Sequence, residues 1–148
     1  MTLARNLSTF ADNLNANGSL ISASEMTTVA ATAATGTVQY DTKTQSVLYY
    51  TTNASGNWTL NIRGDSSTTL NSIMAVGESL TIAFLVTQGT TAYYASALTV
   101  DGTSVTPKYQ GGSAWTAGNA SGIDAYTYTV VKTASATFTV LASLSLFM

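Results

Sequence analysis

From residue 36 to the C-terminus, apolar and hydroxylated side chains alternate with a period of two. Successive side chains of a strand point to opposite faces, so this pattern dictates strands with one buried and one outward face. Trp58, Leu60 and Ile62 alternate with Asn57, Thr59, Asn61 and Arg63. Leu80, Ile82 and Phe84 alternate with Thr81 and Ala83, and Leu85 and Val86 follow, which reads as a central strand. Tyr126, Tyr128 and Val130 oppose Ala125, Thr127, Thr129 and Val131, and a last strand runs through Phe138 and Val140 to Phe147. Val38 and Tyr40, then Val47 and Tyr49, bracket the turn-forming stretch 41–45, which predicts a hairpin. Asp101-Gly102 predicts a second turn, and Pro107 predicts an edge or irregular strand around Val105 and Tyr109. Residues 110–122 carry four glycines and read as a loop. The expectation is an all-β fold of about eight strands, an antiparallel β-sandwich of jelly-roll-like kind.

Residues 1–35 stand apart from this pattern. Leu3, Leu7, Phe10, Ala11 and Leu14 share one face of a short helix, and Asn17-Gly18 ends it. Thr27 to Thr37 is rich in Ala, Thr and Val and weakly patterned. The expected organisation is an N-terminal arm, 1–35, helical or extended, followed by a β-sandwich domain, 36–148. The arm's apolar face is too small to bury itself, so Leu3, Leu7, Phe10 and Leu14 are the candidate residues for docking on a larger particle.

The chain has no His and no Cys. That removes Ser-His and Cys-His nucleophile pairs, the usual zinc sites, haem and iron–sulfur ligation, and disulfides. Five Lys and Arg in total cannot form the patch that neutralises a nucleic-acid backbone. Hydroxyls interrupt the apolar run from Ala134 to Met148, so no membrane-spanning helix is expected. Asp12, Glu25, Asp41, Asp65, Glu78, Asp101 and Asp124 are spread singly, and Asp41, Asp65, Asp101 and Asp124 sit at turn-like, solvated positions. No paired carboxylates for acid–base chemistry and no calcium loop result, so no catalytic residue, metal or cofactor is expected. Arg63-Gly64-Asp65 matches an adhesion tripeptide, but Gly and Asp are also what a turn requires. Trp58 reads as core. Trp115 in the glycine-rich loop, with Tyr94 and Tyr109, is the candidate contact for a ligand or partner, although a loop Trp can equally tuck onto the sandwich. Only 8% of residues are charged, whereas 27 Thr and 17 Ser crowd the polar strand positions. An ordinary monomer surface is about a quarter charged or more. Hydroxyl-rich strands covered by identical neighbours bury no charge, so homo-oligomerisation is expected.

The stretches Val47-Leu48-Tyr49-Tyr50-Thr51-Thr52, Asn57 to Gly64, Gly77 to Gly89 and Gly111 to Asn119 resemble small virion structural proteins of marine tailed phages, as in cyanophages. The resemblance covers roughly Gly36 to Met148 and leaves the first 35 residues outside it. It implies a non-enzymatic virion component, trimeric as such proteins usually are, that decorates or stabilises a capsid or tail surface. It also leaves room for a tail-fibre or neck-fibre tip that binds a host glycan through Trp115 and the outward tyrosines. It transfers no catalytic residues.

Overall fold

A computed structural model describes residues 24–148. Leu3, Leu7, Phe10 and Leu14 therefore lie outside the described residues. Ten strands follow in order: β1 (Thr27–Ala33), β2 (Gly36–Asp41), β3 (Val47–Thr52), β4 (Trp58–Arg63), β5 (Ser79–Thr87), β6 (Ala95–Val100), β7 (Thr103–Ser104), β8 (Lys108–Tyr109), β9 (Ile123–Ala134) and β10 (Thr137–Phe147). One helical turn, α1 (Leu70–Ile73), lies between β4 and β5.

The strands form a six-stranded sheet, β1-β3-β5-β9-β10-β8, and a four-stranded sheet, β2-β4-β6-β7. The two pack as the expected β-sandwich, but the sheets are mixed rather than antiparallel. β1, β3 and β5 run parallel, as do β2, β4 and β6. From β1 to β6 the chain deals consecutive strands alternately to the two sheets, so a strand of one sheet serves as the crossover that parallel pairing in the other demands. The predicted hairpin across 41–45 is consequently a connection between sheets: β2 pairs with β4, and β3 with β1 and β5. Period-two patterning identifies a strand and its inward face, but it carries no information on which neighbour the strand takes. Antiparallel pairing is confined to β5-β9-β10 and β6-β7. The β-structure also begins earlier than Gly36, because β1 pairs with β3. Two of the extra strands, β7 and β8, are two residues long and too short to show a pattern.

The inward positions fill one core. Val38, Tyr40, Leu60, Ile62, Leu98 and Val100 from the smaller sheet meet Leu48, Ile82, Phe84, Val86, Tyr126, Tyr128, Val130 and Val140 from the larger. Trp58 stands edge-on to both Phe84 and Tyr126 and joins the two layers. Tyr40 also crosses the gap, its hydroxyl donating to the carbonyl of Ser46.

One end of the sandwich is closed by α1. A single turn leaves most of its terminal amides and carbonyls without internal partners. Asp101 accepts from Leu70 N at 2.6 Å and Asn71 N at 2.9 Å, while Lys132 Nζ donates to Asn71 O at 2.6 Å and Met74 O at 2.8 Å. The two clamps come from different sheets, and Leu70 and Met74 are pressed into the core between them.

Candidate functional site

The turn carboxylates have internal duties. Asp41 pairs with Arg63 Nε at 2.6 Å, and Asp65 with Lys43 Nζ at 2.6 Å. The Lys43 ammonium and the Ser67 amide hold the Asp65 carboxyl well below the usual carboxylate range. The Arg-Gly-Asp tripeptide therefore has both of its charges paired within the chain. Gly64 packs against the Thr68 carbonyl, which would lie 2.6 Å from an added Cβ.

Asp124 departs from the sequence expectation of a solvated turn. It begins the inward row of β9 and is fully buried. Its Oδ2 accepts from Gln88 Nε2 at 2.9 Å, and both oxygens accept from Asn119 N at 3.2 Å. Gln88 in turn is locked by Tyr93, accepting from Tyr93 N and donating to Tyr93 O. Burial pushes the Asp124 carboxyl up, against the pull of the Asn119 amide and Gln88. The glycine-rich loop is thus moored from beneath by a buried acid. No feature of the local sequence separates this Asp from Asp101; only its place in the alternation with Tyr126 and Tyr128 marks it as inward.

This cluster sets a pH dependence. Because Asp124's folded pKa is raised, its stabilising contribution is full below the unfolded value of about 3.9 and is lost as pH rises through the raised value. Asp65 has the opposite sign: its contribution is present above about pH 3.9 and is lost as pH falls. With no His to titrate between them, stability rises from neutral pH toward about pH 4 and then declines. Urea midpoints measured against pH check this. Asp124→Asn should flatten the limb above pH 4 and leave the acid limb in place; parallel curves for the two proteins would show that Asp124 is not the source.

The aromatic contact candidates fall into different roles. Trp115 tucks onto the sandwich: its Nε1 donates to Ala95 O at 2.6 Å, and its ring stands edge-on to Tyr109, Tyr126 and Tyr128. Tyr94 precedes β6, where its amide donates to Asn57 Oδ1 and its carbonyl accepts from Trp58 N. Tyr109 lies on β8 and lines a shallow groove with Lys108, Thr127, Thr129, Leu141 and Ser143. The structure brings Trp115 and Tyr109 together and leaves Tyr94 out of their cluster.

The two outer faces of the sandwich differ sharply in chemistry. On the four-stranded sheet, Asn61 Nδ2 donates to Gln39, Thr99 Oγ1 donates to Asn61, and the Arg63–Asp41 pair continues the ladder. On the six-stranded sheet, register places Val29, Tyr49, Leu85, Ala125 and Ser145 in one row. Thr27, Val47, Ala83, Thr127 and Ser143 form the next. A further row holds Thr81, Thr129 and Leu141, with the Thr81 and Thr129 hydroxyls 2.9 Å apart. No outward position of β1, β3, β5, β9 or β10 is charged; Lys108 on β8 stands at the rim. Strands about 4.8 Å apart and rising about 3.3 Å per residue make this face on the order of 600 Å². Sequence composition implied such a face, but only the register shows that none of the charges falls on this side.

Among the described residues, no three His, Cys, Asp or Glu side chains cluster as metal ligands, and no helix is long and apolar enough to cross a membrane. No family model, curated protein or solved structure matches the chain.

Proposed function

We propose that this chain is a non-enzymatic structural subunit of a virion, an oligomeric β-sandwich that decorates or stabilises a capsid or tail surface. The observation that carries the reading is the uncharged outer face of the six-stranded sheet. Its extent approaches the roughly 800 Å² per partner of a standard interface. Hydroxyls and small apolar side chains let a second sheet approach to about 10 Å without burying charge. The packed Trp115 supports a scaffold role for the glycine-rich loop. The resemblance to marine phage virion proteins supplies the particle, with the residues ahead of β1, Leu3, Leu7, Phe10 and Leu14 among them, as the arm that docks on it.

The test is native mass of the full chain at micromolar concentration. An oligomer is expected, built on the trimeric unit that the resemblance implies. Thr127→Lys, at the centre of the face, should weaken assembly by about 100-fold or more, because the new charge is desolvated opposite an uncharged neighbour. A wild-type chain that stays monomeric overturns the reading, as does a Thr127→Lys protein that assembles normally.

A second reading, a fibre tip that binds a host glycan, draws on the groove beside β8. There a cation, a phenol ring and three hydroxyls converge. A glycan-array signal abolished by Lys108→Ala would favour it.

A further inference from the structure

Four strands lie at sheet edges: β1 and β8 in one sheet, β2 and β7 in the other. An edge strand exposes unpaired backbone groups, and proteins guard such edges with charge, proline, or extreme shortness. Three of the four are guarded. β7 and β8 are two residues long, and β8 follows Pro107 and begins with Lys108. β2 opens at Gly36 and ends in the Asp41–Arg63 ion pair. β1 has none of these devices. Its sequence, Thr-Thr-Val-Ala-Ala-Thr-Ala, holds no charge, Pro or Gly. Among the described residues, no strand pairs with its outer side.

The backbone direction is fixed by its one ladder. Met26 O accepts from Ser46 N and Val47 N, and Ala30 O accepts from Thr51 Oγ1. Backbone groups alternate sides along a strand, so Thr28 joins Met26 and Ala30 in facing β3. The N–H and C=O of Thr27, Val29 and Ala31 then face outward along the sheet plane. A register shift between Ala30 and Ala33 ends the regular stretch there.

We propose that two copies of the chain join edge to edge through β1, antiparallel about a two-fold axis at Val29. Thr27 of one copy then lies opposite Ala31 of the other, and Val29 opposite Val29, with the outward groups exchanging ladder hydrogen bonds. A second copy fits because the pairing sequence is self-complementary in charge: nothing on either strand repels its twin. The union also runs the two uncharged outer faces into one continuous surface. This inference rests on the oligomeric reading above and names a second interface for it.

The experiment uses the full chain. Native mass should give an even number of copies, and the amides of Thr27, Val29 and Ala31 should exchange about 100-fold more slowly than open-edge amides. Val29→Pro removes one outward N–H without touching the β1–β3 ladder, and Val29→Lys sets two like charges opposite each other. Each should halve the mass and release the Thr27 and Ala31 amides. An odd copy number or a monomer overturns the inference. So does a mass unchanged in both variants, or Thr27 and Ala31 protection that survives in a variant monomer because residues 1–23 cover the edge. Val29→Pro separates the two interfaces, because Val29→Lys also sets a charge on the outer face. If Thr127→Lys dissociates the protein and Val29→Pro does not, the edge pairing fails and the face reading stands. The converse result removes the face and leaves the edge.

Discussion

Trp58→Ala is expected to lower stability by about 4 kcal/mol, a large share of the roughly 5–15 kcal/mol that holds a domain folded. Trp58 is 1% exposed, the largest fully buried side chain, and the only aromatic of β4. It meets Phe84 with ring centroids 6.0 Å apart and Tyr126 at 5.5 Å, both across the gap between the sheets. Truncation therefore opens a cavity at the seam that neither sheet can close without moving as a layer. Its indole N–H has no hydrogen-bond partner among the described residues. Trp58→Phe consequently loses area and no bond, and should cost only about 1–2 kcal/mol. Chemical denaturation of the two variants checks the contrast; equal costs would mean that the ring does not bridge the layers.

Gly118→Ala is expected to cost about 3 kcal/mol and to lower the melting temperature by about 10 °C. A Cβ at Gly118 would sit 2.6 Å from Asp124 Oδ2 and 2.8 Å from Gln88 Nε2, and closer still to the Tyr93 carbonyl. All three atoms belong to the buried network that moors the loop, so none can yield without breaking a hydrogen bond. Gly111 in the same loop makes a control. Nothing lies within 4 Å of its added Cβ, but its φ is +80°, so Gly111→Ala meets backbone strain alone, about 1 kcal/mol. Thermal melts of the pair distinguish the two causes. If both variants melt together, crowding over Asp124 is not what demands glycine at 118.

Much of the fold could be read from the chain. The alternation of Trp58, Leu60 and Ile62, and of Tyr126, Tyr128 and Val130, identifies strands and their inward faces correctly, because burial acts on each residue separately. Pro107 marks an edge, as a residue without an N–H must. The mixed pairing was not legible. Whether Val47 follows Tyr40 back into one sheet or crosses to the other depends on where β1 and β5 lie, a contest among distant segments. Asp124 shows the same division. Its side chain resembles any turn aspartate in sequence, and its burial follows only once the 110–122 loop closes over β9.

The outer face brings both kinds of information together. Composition alone determines that this chain has too little charge to clothe two solvated sheets. Tertiary structure alone decides how that charge is distributed. The register of β1, β3, β5, β9 and β10 leaves the outward side of those strands without a charge, and the ion pairs Arg63–Asp41 and Lys43–Asp65 gather on the side of the four-stranded sheet. The physical reason is that hydropathy is a property of each side chain, whereas a surface is a property of neighbours. Neighbours in a sheet are chosen by backbone pairing between segments up to about fifty residues apart, which no local pattern specifies.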